Sequence, residues 1–355
     1  MAELYHVGLD LHRRFSQVAV LDETGNVISN TQVRNNSEEI REYFKTLPKG
    51  TPVAVEATTG WEWLRDVLEE ECMEVKLANS HKVKLIAEST IKTDKIDAVV
   101  LAQLERSNFL PMAYMAPKEI REYRELLRHR FLLVRTRVRF KNVIHSILMK
   151  MGILPPEVSD QFGKEGIAFL KAVEVPTVYR QRIDTYLEII ENLSCFIKGV
   201  DEEIKKRVVT ENEQAKLLTT MPGISYLSGL LLVAEIGDIN RFSSYKKLSS
   251  YAGLIPTTDQ SAEKRHQGHI KKDSNKYIRG VLIEAVRHAI KKDPVLGFKY
   301  NRISRKKGVN KARIAIANQL LISVYFMLKR NTPYQIRRLR NNYSGNPLRR
   351  AGHQR

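Results

Sequence analysis

The order of β-type and helical runs over the first 110 residues constrains this chain more than any other feature. Residues 5–12, Tyr-His-Val-Gly-Leu-Asp-Leu-His, read as a first strand ending near Asp10. Residues 15–21 form a second strand, Asp22, Gly25 and Asn26 supply turn residues, and 27–33 return as a third. Together these runs make an antiparallel meander. Asn36, with Glu39 three residues on, has the form of a capping box and opens a helix. A short β-branched strand over 51–56 then ends in Glu56. A helix over 61–71, a strand over 74–78 and a short helix near 83–87 follow. The last helix of the region carries Asp94 and Asp97, with Ile96, Val99, Val100 and Leu104 at helical spacing.

Three strands, helix, strand, helix, strand, helix is the ribonuclease H-like order, an α/β arrangement of a mixed sheet with helices on its faces. In such a sheet the first strand and the strand after the first helix are parallel neighbours. Asp10 and Glu56 then emerge side by side at the carboxyl end, where open α/β sheets bind ligands. Asp94 and Asp97 are three apart and share one helix face. Laid across the sheet, their helix brings them to the same place. Gathered carboxylates repel one another unless a proton or cation lies between them, and hard oxygen donors of this kind suit Mg²⁺. Each acid also has a plainer reading, as a strand-tip carboxylate or as a helix-start acid favoured by the dipole. It is the convergence of four that carries the metal reading.

A formal charge of +19 points to a polyanionic partner, because such surfaces attract phosphate backbones. The charge is unevenly placed: no Asp or Glu follows Asp293, while Lys and Arg continue to the end. No apolar run of 18 residues is evident; the best stretch, 227–236, is short and contains Glu235. The N-terminus has no basic segment leading into an apolar one, so no signal peptide is expected. Cys72 and Cys195 are far apart and lack metal-ligand spacing, which fits a reducing cytoplasm and excludes a zinc site.

Prolines 111 and 117 mark a linker. Two long helical segments follow. In the first, Leu127, Phe131, Val134, Val138, Ile144 and Leu148 form a stripe, with Arg128, Arg135 and Arg139 on other faces. In the second, Ile183, Tyr186, Ile190, Leu193 and Ile197 keep a near-heptad spacing, the pattern of a helical hairpin or coiled coil that pairs subunits. The arginines read either as a solvated face or as nucleic-acid contacts. Residues 217–224, with Met-Pro-Gly before an apolar helix over 226–236, resemble half of a helix-hairpin-helix or an ordinary tight turn. A helix over 244–251 leads to 263–272, a polar, basic loop with Lys264 and Arg265. Lys276 and Arg279 stand in the first turns of the next helix, where cations oppose the dipole and suit a phosphate. A last helix spans 311–329, and an Arg-rich tail follows.

These residues together resemble the insertion-sequence 110/1111 transposases, RuvC-like recombinases with an acidic tetrad. The resemblance rests on Gly-Leu-Asp-Leu-His around Asp10, Val-Glu-Ala-Thr around Glu56, and Lys-Thr-Asp-Lys-Ile-Asp-Ala around Asp94 and Asp97. In the second half it rests on Met-Pro-Gly-Ile at 221–224, Ala-Glu-Ile-Gly-Asp at 234–238 and Tyr-Ala-Gly-Leu-Ile-Pro at 251–256. It implies a tetrad of Asp10, Glu56, Asp94 and Asp97 holding Mg²⁺, and a nucleophilic serine at Ser261. The family follows that serine with glycine; here Ala262 stands instead. The implied activity is DNA strand cleavage and exchange on donor and target DNA, guided by a bridge RNA. The implied assembly is a homodimer or homotetramer formed through the coiled coil, acting in a prokaryotic cytoplasm.

Four segments follow from this reading. They are a RuvC-like catalytic domain over 1–110, a helical hairpin or coiled coil over 111–210, a mainly helical transposase domain over 211–330, and a disordered basic tail over 331–355. Expected nucleic-acid contacts are Arg128, Arg135, Arg139, Lys264, Arg265, Lys276 and Arg279. Two other readings stay open: a junction nuclease using water as nucleophile, and a non-catalytic nucleic-acid-binding protein.

Overall fold

The computed structural model describes residues 5–86, 93–255, 258–261, 264–267 and 274–336, the two short segments as backbone only. The chain forms two compact units, Met1–Met115 and Ala116–Arg355. The first division thus falls five residues beyond the expected one, and the second unit holds both the long helices and all that follows.

The first unit contains β1 (His6–Leu11), β2 (Phe15–Leu21), β3 (Val27–Arg34), α1 (Ser37–Lys45), β4 (Pro52–Glu56), α2 (Trp61–Glu70), β5 (Glu74–Ala78), α3 (Ser80–Ile86) and α4 (Asp94–Arg106). Its five-stranded mixed sheet has the order β3-β2-β1-β4-β5. β1 pairs antiparallel with β2 and parallel with β4, with Leu9 opposite Val55. β4 in turn pairs parallel with β5, Glu56 opposite Ala78. Asn36 caps α1 by accepting from the Glu39 amide at 2.8 Å, as the capping-box spacing requires. One core of Val7, Leu9, Val53, Val55, Ile40, Phe44, Leu64 and Leu68 joins β1 and β4 to α1 and α2. On the other face, Ala98 and Ala102 of α4 pack against Ala19 and Leu21 of β2.

The second unit begins with α5 (Lys118–Lys150), α6 (Lys164–Ala172) and α7 (Thr177–Thr210). α5 and α7 lie side by side, closed at one end by Ile144, Ile147, Leu148, Ile183, Leu187 and Ile190, with Leu170 of α6 in the same core. Then come α8 (Glu213–Leu218), α9 (Tyr226–Ile236), a 3-10 turn at Ile239–Arg241, and α10 (Tyr245–Tyr251). β6 (Thr258–Ser261) and β7 (Lys264–Gln267) form a two-stranded hairpin, and α11 (Lys276–Lys292), α12 (Pro294–Lys307) and α13 (Val309–Arg330) follow.

Four differences from the sequence reading stand out. The expected basic loop over 263–272 holds a strand, β7, which pairs with β6 just before it. α12, opened by Asp293 capping Val295 and Leu296 and by Pro294, was not anticipated because Pro294 and Gly297 read as breakers. α13 is long and apolar enough to span a membrane by length and composition, more so than 227–236, yet its Ile316, Leu320, Leu321 and Val324 lie in the core of this unit. Beyond α13 the chain stays packed at least to Tyr334, whose hydroxyl donates to Asp293 at 2.6 Å, so the expected tail does not begin at 331. Residues 337–355 lie outside the described residues.

Candidate metal centre

Side chains alternate along a strand, so His6, Gly8, Asp10 and, just past the strand end, His12 share one face of β1. α4 lies on that face. Gly8 allows the contact: a Cβ there would sit 2.0 Å from the Ala98 carbonyl oxygen and 2.5 Å from the Ala102 nitrogen. Thr93 caps α4, accepting from the Ile96 amide, and Asp94 and Asp97 occupy its first turn. The N-terminus of α4 is thereby delivered to the carboxyl end of β1, beside the end of β4 and Glu56.

Asp10 is the buried member of the cluster, 8% exposed. Burial pushes its carboxyl above the ordinary carboxylate range; His12 pulls it back, and the negative charges of Asp97, Glu56 and Asp94 push it further up. Asp97, Glu56 and Asp94 are therefore each close enough to act on Asp10. The sequence reading had placed them together on strand order and helix spacing alone.

It had not placed His12. Nε2 of His12 lies 3.0 Å from Asp10 Oδ2 and 3.3 Å from Asp94 Oδ1. The same nitrogen is shut off from solvent and makes no hydrogen bond. The ring is steadied by Phe15, 5.2 Å away between centroids, and the His12 carbonyl accepts from Asn35 at 2.6 Å. Asp10, His12 and Asp94 each offer a ligand atom, and these atoms lie within 4.8 Å of one another. Carboxylate oxygens and an imidazole nitrogen converging on a half-buried point fit a divalent cation. The signal for His12 was present in the sequence: it stands two residues from Asp10, the spacing that puts both on one strand face.

The expected nucleophile, Ser261, is in the second unit. It ends β6 opposite Lys264 of β7. Its side chain, like those of Lys264 and Arg265, lies outside the described residues. In sequence the hairpin is flanked by residues 251–255 and by Ser274 and Asn275. Asn275 donates its backbone N–H to the Tyr251 carbonyl at 2.8 Å and its side chain to buried Glu235 at 2.7 Å. Gly253 turns there with φ +64°, pressed against Ser274 and Arg279. Tyr251 packs on Phe242 under Arg241, a packing position. Other serines have local roles: Ser225 caps α9, and Ser274 accepts from Arg279.

The basic residues divide into two groups. On α5, Arg124 donates to the Ala234 carbonyl, Arg130 pairs with Asp201 and Arg137 donates to Ser194, so these three hold the unit together. Arg128, Arg135 and Arg139 are exposed, with Arg128 beside Glu125 at 3.2 Å. Lys276 is exposed at the start of α11, whose amides are capped by Asn275, while Arg279 is half-buried against Ser274. Cys72 and Cys195 are both free thiols.

Comparison with known proteins gives this arrangement its class. A family model described as a transposase matches residues 7–153, and one described as the IS116/IS110/IS902 transposase family matches 215–301. The chain is thus a transposase, an enzyme that cleaves DNA and transfers its strands. Its second half matches the IS116/IS110/IS902 family model, and its first half a transposase model. The transposase of insertion sequence element IS1111A from Coxiella burnetii is 26% identical over 345 residues, covering 94% of this chain and 92% of that protein. The transposase of element IS1328 from Yersinia enterocolitica is 26% identical, covering 79% and 82%. A pilin gene-inverting protein of Moraxella bovis is 35% identical over 130 residues, covering 36% of this chain and 40% of its own.

Proposed function

We propose that the chain transposes its element by metal-assisted cleavage and exchange of DNA strands, with Ser261 as covalent nucleophile and a bridge RNA as guide. The observation that carries the reading is the convergence of Asp10, Glu56, Asp94 and Asp97, each charge acting on Asp10. These carboxylates, joined by His12, would hold one or two Mg²⁺ ions. A cation bound there would supply activation of an attacking oxygen and neutralisation of charge developing at phosphorus.

The Ser261 hydroxyl oxygen attacks the DNA phosphorus, the bond from phosphorus to the leaving strand's oxygen breaks, and the serine proton passes to that oxygen, which leaves as a hydroxyl. The resulting serine phosphodiester keeps the bond energy. A free hydroxyl of another strand then attacks the same phosphorus and releases Ser261. A serine hydroxyl needs such activation to act as a nucleophile. The scheme requires Ser261 to meet the carboxylates, within one chain or between two, and a homodimer or homotetramer built on α5 and α7 supplies the second possibility. Arg128, Arg135, Arg139, Lys264, Arg265, Lys276 and Arg279 would carry phosphate contacts to DNA or guide RNA, in the cytoplasm where the donor DNA lies.

The test is a suicide or nicked DNA substrate. Asp97→Asn should bind DNA but cut none of it, whereas Ser261→Ala should bind DNA and metal yet form no protein–DNA adduct. Recombination by Ser261→Ala would return the chemistry to water, and cutting by Asp97→Asn in Mg²⁺ would remove the metal from it.

A further inference from the structure

α4 runs antiparallel to β1 and is fixed to it at three levels. At the near end Asp94 approaches Asp10 through His12, and at the centre Ala98 and Ala102 ride on Gly8. At the far end stands Glu105, with a side chain only 3% exposed. A carboxylate in the last turn of a helix opposes the dipole, and burying it costs solvation, so the position is unfavourable twice over. Both of its oxygens are committed. Oε2 meets Nδ1 of His6 on β1, and Oε1 accepts from Nζ of Lys76 on β5 at 2.8 Å. β4 lies between those two strands. Glu105 therefore spans the sheet beneath the helix and ties α4 to both sides of the strand that carries Glu56.

The same face of α4 carries Asp94, Asp97, Leu101 and Glu105, spaced by three and four residues. A slip of one residue along the sheet would move the acids by about 1.5 Å. Metal ligands tolerate distance errors of only about 0.2 Å. We propose that Glu105 is a positioning residue: gripped by His6 and Lys76, it sets the register of α4 on β1 and so holds Asp94 and Asp97 where they share a cation with Asp10. The proposal rests on the metal reading of the four-acid cluster. Two further tethers hold the same end of α4 to the β2–β3 turn, part-buried Gln103 to the Gly25 carbonyl at 2.9 Å and Arg106 to that of Glu23 at 3.2 Å. They reach only that turn, and so provide a control.

The experiment titrates the full chain with Mn²⁺ and reads free ion by electron paramagnetic resonance, with melting temperatures measured alongside. Glu105→Gln keeps the volume and removes the charge; it should weaken Mn²⁺ binding about tenfold, the size of effect seen when groups behind metal ligands are removed. Glu105→Asp should regain part of that loss. Lys76→Met, at a more exposed position, removes one grip and should give a smaller loss even where Glu105→Gln folds poorly. Val99→Ala on the same helix and Gln103→Ala should lower the melting temperature and leave Mn²⁺ affinity within twofold. Equal affinity losses in the controls would mean that general loosening is at work and would overturn the proposal. Unchanged affinity in Glu105→Gln and Lys76→Met would overturn it while sparing the metal site. A wild-type chain that binds no Mn²⁺, or Asp97→Asn binding as wild type, would remove the metal reading and this proposal together.

Discussion

Asp10 is held in an environment that disfavours its charge, by burial and by the neighbouring charges of Asp97, Glu56 and Asp94, while His12 pulls the other way. A carboxyl whose folded-state pKa is raised contributes stability fully present below its unfolded value, and that contribution is lost as pH rises through the folded value. At neutral pH the ionised side chain therefore works against folding. Without metal, Asp10→Asn should raise the melting temperature at pH 7 and have little effect near pH 4. Added Mg²⁺ should reverse the order, stabilising the wild type and leaving the variant unmoved. Calorimetric scans in EDTA and in Mg²⁺ at the two pH values decide it; a variant less stable than wild type in EDTA at pH 7 would be incompatible with the electrostatics described.

α4 is the element on which the first unit turns. Its close seat on β1 depends on Gly8, because a methyl group there would overlap the Ala98 carbonyl. Gly8→Ala should cost about 3 kcal/mol, the upper end of ordinary overpacking penalties. It should also weaken Mn²⁺ binding, since relief requires α4 to lift from the strand that carries Asp10. Chemical denaturation read beside the Mn²⁺ titration tests both effects, and full metal affinity in a destabilised variant would separate the seat of α4 from the site. The boundaries of β5 and α9 were legible in the sequence, because Val75 and Leu77 alternate with polar residues and α9 is a nearly continuous apolar run between Ser225 and Gly237. α12 was not, since only Leu296 is buried and the flanking Pro294 and Gly297 read as breakers. The β6–β7 hairpin was equally hidden, because polar residues in alternation carry no hydrophobic signal.

For the whole molecule, the excess of cations sets the terms of DNA binding. With about six phosphates neutralised, log K should fall against log salt with a slope near −5 on duplex DNA, and removing one contact such as Arg135 should flatten the slope by about 1. Filter binding or anisotropy from about 50 to 200 mM salt measures it, and an affinity indifferent to salt would refute phosphate contacts as its source. The same charge shows how far sequence alone reaches. The order of strands and helices, the two acids at strand ends and the same-face pair on α4 are local properties, written in period and spacing, and they were enough to bring Asp10, Glu56, Asp94 and Asp97 together. Which arginines of α5 face solvent was not legible: Arg124, Arg130 and Arg137 differ from Arg128, Arg135 and Arg139 only in whether a distant carbonyl, carboxylate or hydroxyl lies within reach. The approach of Asp94 to His12, Glu105 between His6 and Lys76, and the seat of α4 on Gly8 were decided by tertiary structure, because each joins atoms that the chain brings together only after the sheet has formed.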